Sequence, residues 1–180
     1  PEQIVKYGEL TLRENQIAYA EPSFFRLFDF ELLKGDKKTC LSMPGQVVIT
    51  ERIASKYFKD EDPIGKIFIF TGAYDKISCE VTGVMKEMPS NSHIHYSFLI
   101  SYKSLPKYMQ EYWYKHEAYT YVLLDSPERK AEIEREFPVM AEKYKTDEAL
   151  KNKTWGVSLI PLADIHLTPQ VGYEAETKGN

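Results

Sequence analysis

Few residues in this chain combine a reactive type with a useful spacing, and the sharpest pair is His93 and His95. In a strand over His93–Ser101, residues two apart share a face, so both imidazoles could reach one Zn²⁺ ion. No third ligand stands at a fixed spacing. The plainer expectation is that both rings decorate the solvent side of a strand whose other side holds Ile94, Tyr96, Phe98 and Ile100. Asp164 and His166 are also two apart, with no nucleophile nearby in sequence, and read as a structural hydrogen bond and not a catalytic dyad. Cys40 and Cys79 fit no CxxC pattern. A disulfide between them is open in an oxidising compartment, but the alternation of Ile77, Cys79 and Val81 predicts a buried free thiol.

The sequence contains no GxxxxGK[ST] loop, GxSxG elbow, HExxH pair or EF-hand loop. One Asn152-Lys153-Thr154 sequon carries no weight alone. The expectation is therefore no catalytic residue, no metal ligand and no cofactor held by this chain. Binding is the remaining chemistry. The chain has 13 Tyr, 9 Phe and 2 Trp. Tyr108, Tyr112, Trp113 and Tyr114 could line a groove for a sugar or peptide, since aromatic rings give contact area at low entropic cost. Alternatively they pack a seam between two subdomains. The charged run Glu128–Glu136 reads as a solvated helix face.

The elements that would position these residues follow from periodicity and breakers. Gln16–Ala20 is extended, Ser23 caps a helix over Phe24–Phe28, and Phe30–Leu33 returns as a strand ended by Lys34-Gly35-Asp36. Val47–Ile49 is a short apolar strand. Thr50 caps the helix Glu51–Phe58, with Ile53, Ala54, Tyr57 and Phe58 as its buried stripe and Glu51 at its positive end. Asp60-Glu61-Asp62-Pro63 is a turn, because the residue before proline is pushed out of the helical region. Gly65 then enters the strand Lys66–Phe70, Tyr74-Asp75 belongs to a hairpin turn, and Lys76–Val84 returns as a strand. Tyr102–His116 reads as helical. Ala118–Leu124 reads as a strand, Pro127–Lys145 as a helix interrupted at Pro138, and Trp155–Leu162 as a strand.

Strand-helix-strand thus opens and closes the chain, with a compact α/β unit between. The predicted fold class is α+β: a ferredoxin-like, porter-type split βαβ/βαβ subdomain, residues 1–38 and 115–180, holding an inserted small α/β subdomain, residues 39–114. With 180 residues, 43% hydrophobic and 28% charged, the chain can bury one good core or two small ones. A net charge of −4 argues against a nucleic-acid partner and against a polybasic contact with anionic lipid. No apolar run approaches the roughly 20 residues that span a bilayer. The opening at Pro1 and the polar tail Gly172–Asn180 read as an excised piece of a longer polypeptide.

Five blocks stand in order: AEPSFFRLFDFELLKG at Ala20–Gly35, VVITERIASKYFKDEDPIGK at Val47–Lys66, VTGVMKEMPSNSHIHYSFLIS at Val81–Ser101, YTYVLL at Tyr119–Leu124 and PLADIHL at Pro161–Leu167. Together they resemble the MacB-like periplasmic core domain of FtsX-like ABC transporter permeases, over nearly the whole chain. The run Thr50–Lys66 followed by VTGV is the most specific part. The resemblance implies a domain projecting into the periplasm from a bacterial inner-membrane permease, between the first two of four membrane helices. It implies a separate cytoplasmic ABC ATPase that binds the ATP, a permease homodimer or heterodimer, and a periplasmic adaptor or substrate as partner. It implies transmission of motion from ATP hydrolysis, with lipoproteins, peptides or small toxic molecules as cargo. It supplies no catalytic residues, and its matches at Pro63, Gly65, Gly83 and Asp164 look architectural. Cys40 departs from the small residue usual before the VVIT strand. A ligand-sensing module with the aromatic groove is the alternative, and a metal enzyme using His93, His95 and His166 a third.

Overall fold

A computed structural model describes residues 2–72, 76–110, 118–144 and 151–165. The chain divides into two compact units, 1–110 and 111–180. In the first, the elements run β1 (Gln3–Tyr7), β2 (Leu10–Glu14), β3 (Ile17–Ala20), α1 (Phe24–Phe28), β4 (Leu32–Lys34), β5 (Gln46–Thr50), α2 (Glu51–Phe58), β6 (Ile67–Thr71), β7 (Lys76–Met85), β8 (Phe98–Ser101) and α3 (Lys107–Gln110). All eight strands join one mixed sheet, ordered β2-β1-β6-β7-β5-β8-β3, with β4 also on β7. The β3–β8 and β5–β7 pairings are parallel and the others antiparallel.

The ten-residue β7 organises this sheet. Its first half pairs with β6, its last residues pair with β4, and β5 runs along its other side. β5 lies centrally between β7 and β8, with α2 on one face and the turn after β4 tied to the other, and Val47, Val48 and Ile49 are all fully buried. A continuous apolar run is what a strand covered on both faces requires. On one face, Val5, Val47, Ile49, Phe68, Phe70, Cys79, Val81, Phe98 and Ile100 meet Ile53, Tyr57 and Phe58 of α2. Phe68 is the hub: its ring meets Tyr57 edge-on at 4.9 Å, Phe58 at 5.4 Å and Phe98 edge-on at 5.9 Å. Edge-to-face pairs add about 0.5–1.5 kcal/mol each beyond area burial.

The opposite face carries Val48, paired with Leu99 and with Gly83. The turn after β4 is tied there: Thr82 Oγ1 donates to the Cys40 carbonyl at 2.6 Å and Ser101 Oγ to that of Leu41 at 2.9 Å. Two glycines permit the close approach of β4. A Cβ on Gly83 would meet the Lys34 carbonyl and Val48 Cγ2 at 3.2 Å. Gly35 has φ +95°, and a Cβ there would lie 2.4 Å from the Thr82 carbonyl oxygen. No L side chain fits that position.

In the second unit, α4 (Arg129–Tyr144) is followed by a 3-10 turn at Leu162–Asp164. Among the described hydrophobic residues of 118–165, Ala141 is the one that is buried.

The molecule is mixed α+β as expected, and α1, α2 and the strands of the middle third lie where periodicity placed them. Several details differ. The ferredoxin-like split βαβ/βαβ sheet is not found among the described residues: β3 and β4 pair with β8 and β7 within one eight-stranded sheet, and the segments 118–124 and 155–160, expected to close it, add no strand. The hairpin β1–β2 was not read from the sequence. Its two-residue turn is Gly8-Glu9, with Gly8 at φ +54°, a conformation suited to the right-handed twist of paired strands. The helix expected over Tyr102–His116 is split at Pro106 in its part up to Gln110; residues 111–116 lie outside the described residues. Leu105 before the proline is extended (ψ 145°), and α3 starts beyond it, as proline's effect on its predecessor demands. The expected break at Pro138 does not occur, because α4 runs through it, giving up one backbone hydrogen bond. Leu162 opens a 3-10 turn, and the strands expected over Ala118–Leu124 and Trp155–Leu162 show no pairing among the described residues, since a strand needs a ladder partner as well as a suitable sequence. The turn at Tyr74-Asp75 lies outside the described residues.

Candidate functional site

The block Thr50–Lys66 is built from local hydrogen bonds. Thr50 Oγ1 accepts from the Ile53 N–H at 3.5 Å and opens α2. The Lys59 N–H donates to the Ser55 carbonyl at 3.1 Å and closes it. In the acidic turn, Asp62 Oδ1 accepts from the Ile64 N–H at 3.2 Å and from Lys34 Nζ of β4 at 3.0 Å. The hydrogen bond from Lys34 holds the Asp62 carboxyl below the usual range, and the backbone bond adds to the effect. Glu61 is lowered in the same way by Lys66, 2.8 Å away. Gly65, at φ +79°, donates its N–H to the Val81 carbonyl at 2.9 Å, and the Val81 N–H donates to that of Lys66 at 2.8 Å. The block is therefore fastened to β4 through a side chain and to β7 through the ladder.

Two polar constellations tie α2 to the sheet. Buried Glu14 receives Lys56 Nζ at 2.6 Å and the Tyr57 hydroxyl at 2.8 Å on the same oxygen. Burial raises the Tyr57 pKa, and its bond to Glu14 raises it further. The phenol is thus a poor acid, and its proton is committed to Glu14. In the second constellation, Arg52 donates to Ser97 Oγ at 2.7 Å and approaches Glu87 at 3.5 Å, while Ser97 Oγ donates to Gln16 Oε1 at 2.9 Å. Neither arrangement joins a free nucleophile to a base. Both hold α2 in place.

The residues with reactive types are dispersed. His93 and His95 do not sit on a strand, because β8 begins only at Phe98. His95 Nε2 lies 3.0 Å from the Pro89 carbonyl, and the His93 ring packs on Phe28 at 5.7 Å. Among the described residues, no group of three or more His, Cys, Asp or Glu side chains could hold a metal ion. Both cysteines are free and buried. Burial pushes the Cys40 thiol up to about 11 and the Cys79 thiol up to about 12, so neither is a reactive thiolate near neutrality. Asp164 ends the 3-10 turn, its N–H donating to the Pro161 carbonyl at 2.9 Å; His166 lies outside the described residues. Of the four proposed groove aromatics, Tyr108 is on α3 and 52% exposed, while Tyr112, Trp113 and Tyr114 lie outside the described residues.

One surface feature went unread in the sequence: an open cleft of about 580 Å³ lined by Pro22, Ser23, Phe25, Arg26, Asp29, Lys37 and Lys38. Its only trace there is the Lys37-Lys38 pair just after a turn signal.

With no assembled catalytic constellation among the described residues, identity rests on the order of structural blocks. The sequence profile of the MacB-like periplasmic core domain matches residues 1–138. The chain belongs to the MacB-like periplasmic core domain family. It is thus a periplasmic domain of a MacB/FtsX-like ABC transporter permease. Among solved structures, it is similar to a domain of a permease protein from Porphyromonas gingivalis. The TM-score is 0.65 at 20% identity, covering 83% of this chain and 68% of that one. It is also similar to the extracellular domain of the noncanonic ABC-type transporter YknZ from Gram-positive bacteria, with TM-score 0.54 and 18% identity over 83% and 74% of the two chains. A looser likeness is to the periplasmic region of MacB from Actinobacillus actinomycetemcomitans, with TM-score 0.46 and 19% identity over 58% and 45%. No curated protein sequence matches. Among the described residues of this MacB-like domain, no helix is long and apolar enough to cross a membrane.

Proposed function

We propose that this domain is a non-enzymatic, motion-transmitting part of its permease. It would stand in the periplasm of a bacterial inner-membrane complex and contact partners or cargo there. A cytoplasmic ABC ATPase would bind and hydrolyse the ATP, and two permease subunits, identical or different, would move their periplasmic domains together. Family membership supports the setting. The observation that carries the mechanical reading is the way α2 and the acidic turn are fastened to one continuous sheet: the Glu14–Lys56–Tyr57 cluster, the Asp62–Lys34 bridge and the Gly65–Val81 ladder. A body tied at several points transmits displacement, whereas a loosely held one absorbs it.

The test is deletion of residues 1–180 from the full-length permease, reconstituted with its ATPase. Nucleotide hydrolysis should persist while passage of cargo or partner activation is lost. Loss of hydrolysis together with transport would place the domain's role in assembly, and unchanged transport would remove the proposal. The exposure of Tyr108 supports a second reading, a ligand-sensing surface that also uses Tyr112, Trp113 and Tyr114. Quenching of tryptophan fluorescence by peptides or sugars, abolished by Trp113→Phe and weakened by Tyr108→Ala, would favour it.

A further inference from the structure

The cleft between α1 and the turn after β4 combines two features. Its floor is apolar: Phe25, which is 1% exposed, lies with Pro22. Its rim is cationic, with Arg26, Lys37 and Lys38 against the single acid Asp29, a local balance of +2 (3 − 1) in a chain whose net charge is −4. Asp29 is bound to Lys37 Nζ at 2.8 Å, a pairing that lowers its pKa. That leaves Arg26 and Lys38 with no side-chain partner among the described residues. Two further carboxylates stand close in sequence, and each accepts a hydrogen bond from a neutral donor. Asp36 Oδ1 accepts from the Lys38 N–H at 2.7 Å, and Glu21 accepts from Ser23 Oγ at 3.3 Å.

Both walls are fixed by backbone hydrogen bonds. The Asp36 carbonyl accepts from the N–H groups of Thr39 and Cys40 at 3.1 and 2.9 Å, and the Ser23 carbonyl from those of Arg26 and Leu27 at 3.0 Å. Outside the cleft lining, Phe25 is in contact with further rings. Phe25 touches Phe24 at 5.4 Å, Phe24 stacks on Phe30 at 5.7 Å, and Phe30 stacks on Phe28 at 6.0 Å. Phe24, Phe28 and Phe30 are only half-buried. A row of partly open rings beside an unpaired arginine has the composition of a protein-binding patch.

We infer that this cleft is a docking site for an acidic peptide segment of a partner protein, one that places an aromatic or aliphatic side chain on the phenylalanine row and carboxylates against Arg26 and Lys38. Charge complementarity selects the occupant. Carboxylates are the natural complement of a guanidinium fork and a free ammonium group. An anionic membrane is disfavoured, because the surface is a concave cleft and not a flat or protruding face. The inference stands on the cleft and does not depend on transport.

The probe is a fluorescein-labelled peptide of Asp and Glu flanking one Phe, titrated with the full chain and followed by anisotropy at low and high salt. Saturable binding is expected, weakening as salt rises. It should fall roughly tenfold in the double variant Arg26→Glu, Lys38→Glu and hold in Lys6→Glu, a cation on β1. The neutral pair Arg26→Gln, Lys38→Gln should give an intermediate loss, and circular dichroism checks that every variant is folded. A peptide with Ser in place of Phe should bind more weakly if the ring row is used. No binding, equal binding by the charge-reversed variant, or preferential binding to vesicles containing phosphatidylglycerol would each overturn the assignment.

Discussion

Residues 2–110 and residues 118–165 both contain short apolar segments with strand-like sequences, but among the described residues only those of the first region are paired. In the first region, Val47, Val48 and Ile49 lie between two neighbouring strands and are wholly buried. In the second, Tyr119, Val122 and Leu123 belong to an equally β-prone stretch, YTYVLL, yet are exposed, Leu123 at 72%. The amphipathic helices differ as well. The stripe of α2 sits on a sheet, whereas Val139 and Met140 of α4 are exposed. Residue type confers a tendency to be a strand or a buried face. A neighbour on which to place the hydrogen bonds and the apolar surface converts the tendency into structure. The first region supplies its own neighbours. The specific motif therefore lies there, and the first region's rigidity is what the mechanical reading uses.

The contrast can be tested by substitution, starting with the largest effect. Phe68→Ala removes the ring that joins Tyr57, Phe58 and Phe98. Urea unfolding should show a loss of about 3–5 kcal/mol, and a loss below about 1 kcal/mol would mean the first region is not packed around this ring. Gly35→Ala places a methyl group against the Thr82 carbonyl at a positive φ. A loss of about 1–3 kcal/mol in the same measurement is expected, with weaker protection of β4 in hydrogen exchange.

The buried thiols give a pH signature for the same region. Their pKa values in the folded chain are raised, so folded Cys40 and Cys79 keep protons that the unfolded chain releases. Their contribution is complete below about pH 9 and declines as pH rises towards 11–12. The unfolding free energy measured in urea should fall between pH 9 and 10, by about 1 kcal/mol per pH unit for each thiol. The double variant Cys40→Ala, Cys79→Ala should flatten that slope. Leu123→Ala should do least, within about 0.5 kcal/mol. A cost of 2 kcal/mol or more would show that this side chain is covered in solution and would erase the contrast.

Local signals were legible where the chain settles its own hydrogen bonds. The Thr50 cap, the stripe of α2, the Asp60–Pro63 turn and the entry at Gly65 are all decided within a few residues, and they stand as read. The hairpin at Gly8 was equally local, and its glycine between Val5, Tyr7 and Leu10, Leu12 was a signal that could have been used. Pro106 and Pro138 show the limit of a breaker rule: the first divides a helix and the second does not, because one missing hydrogen bond is tolerated where the rest of the helix continues on both sides. His93 and His95 looked like a pair only under a strand geometry that begins later, at Phe98. The cleft was nearly invisible, since Arg26 and Lys38 are twelve residues apart and only the fold brings α1 to the turn.

The sequence by itself determined the family, the elements α1, α2, β5, β6 and β7 and the poverty of reactive groups, because these depend on residue order and short-range bonding. The tertiary structure alone decided that β4 joins β7 and not β3, that Glu14 meets Lys56 and Tyr57, and that three cations surround a phenylalanine floor. Those facts depend on which surfaces exclude water together. Strand pairing and burial are relations between distant segments, and their free energy appears only when both partners are in place.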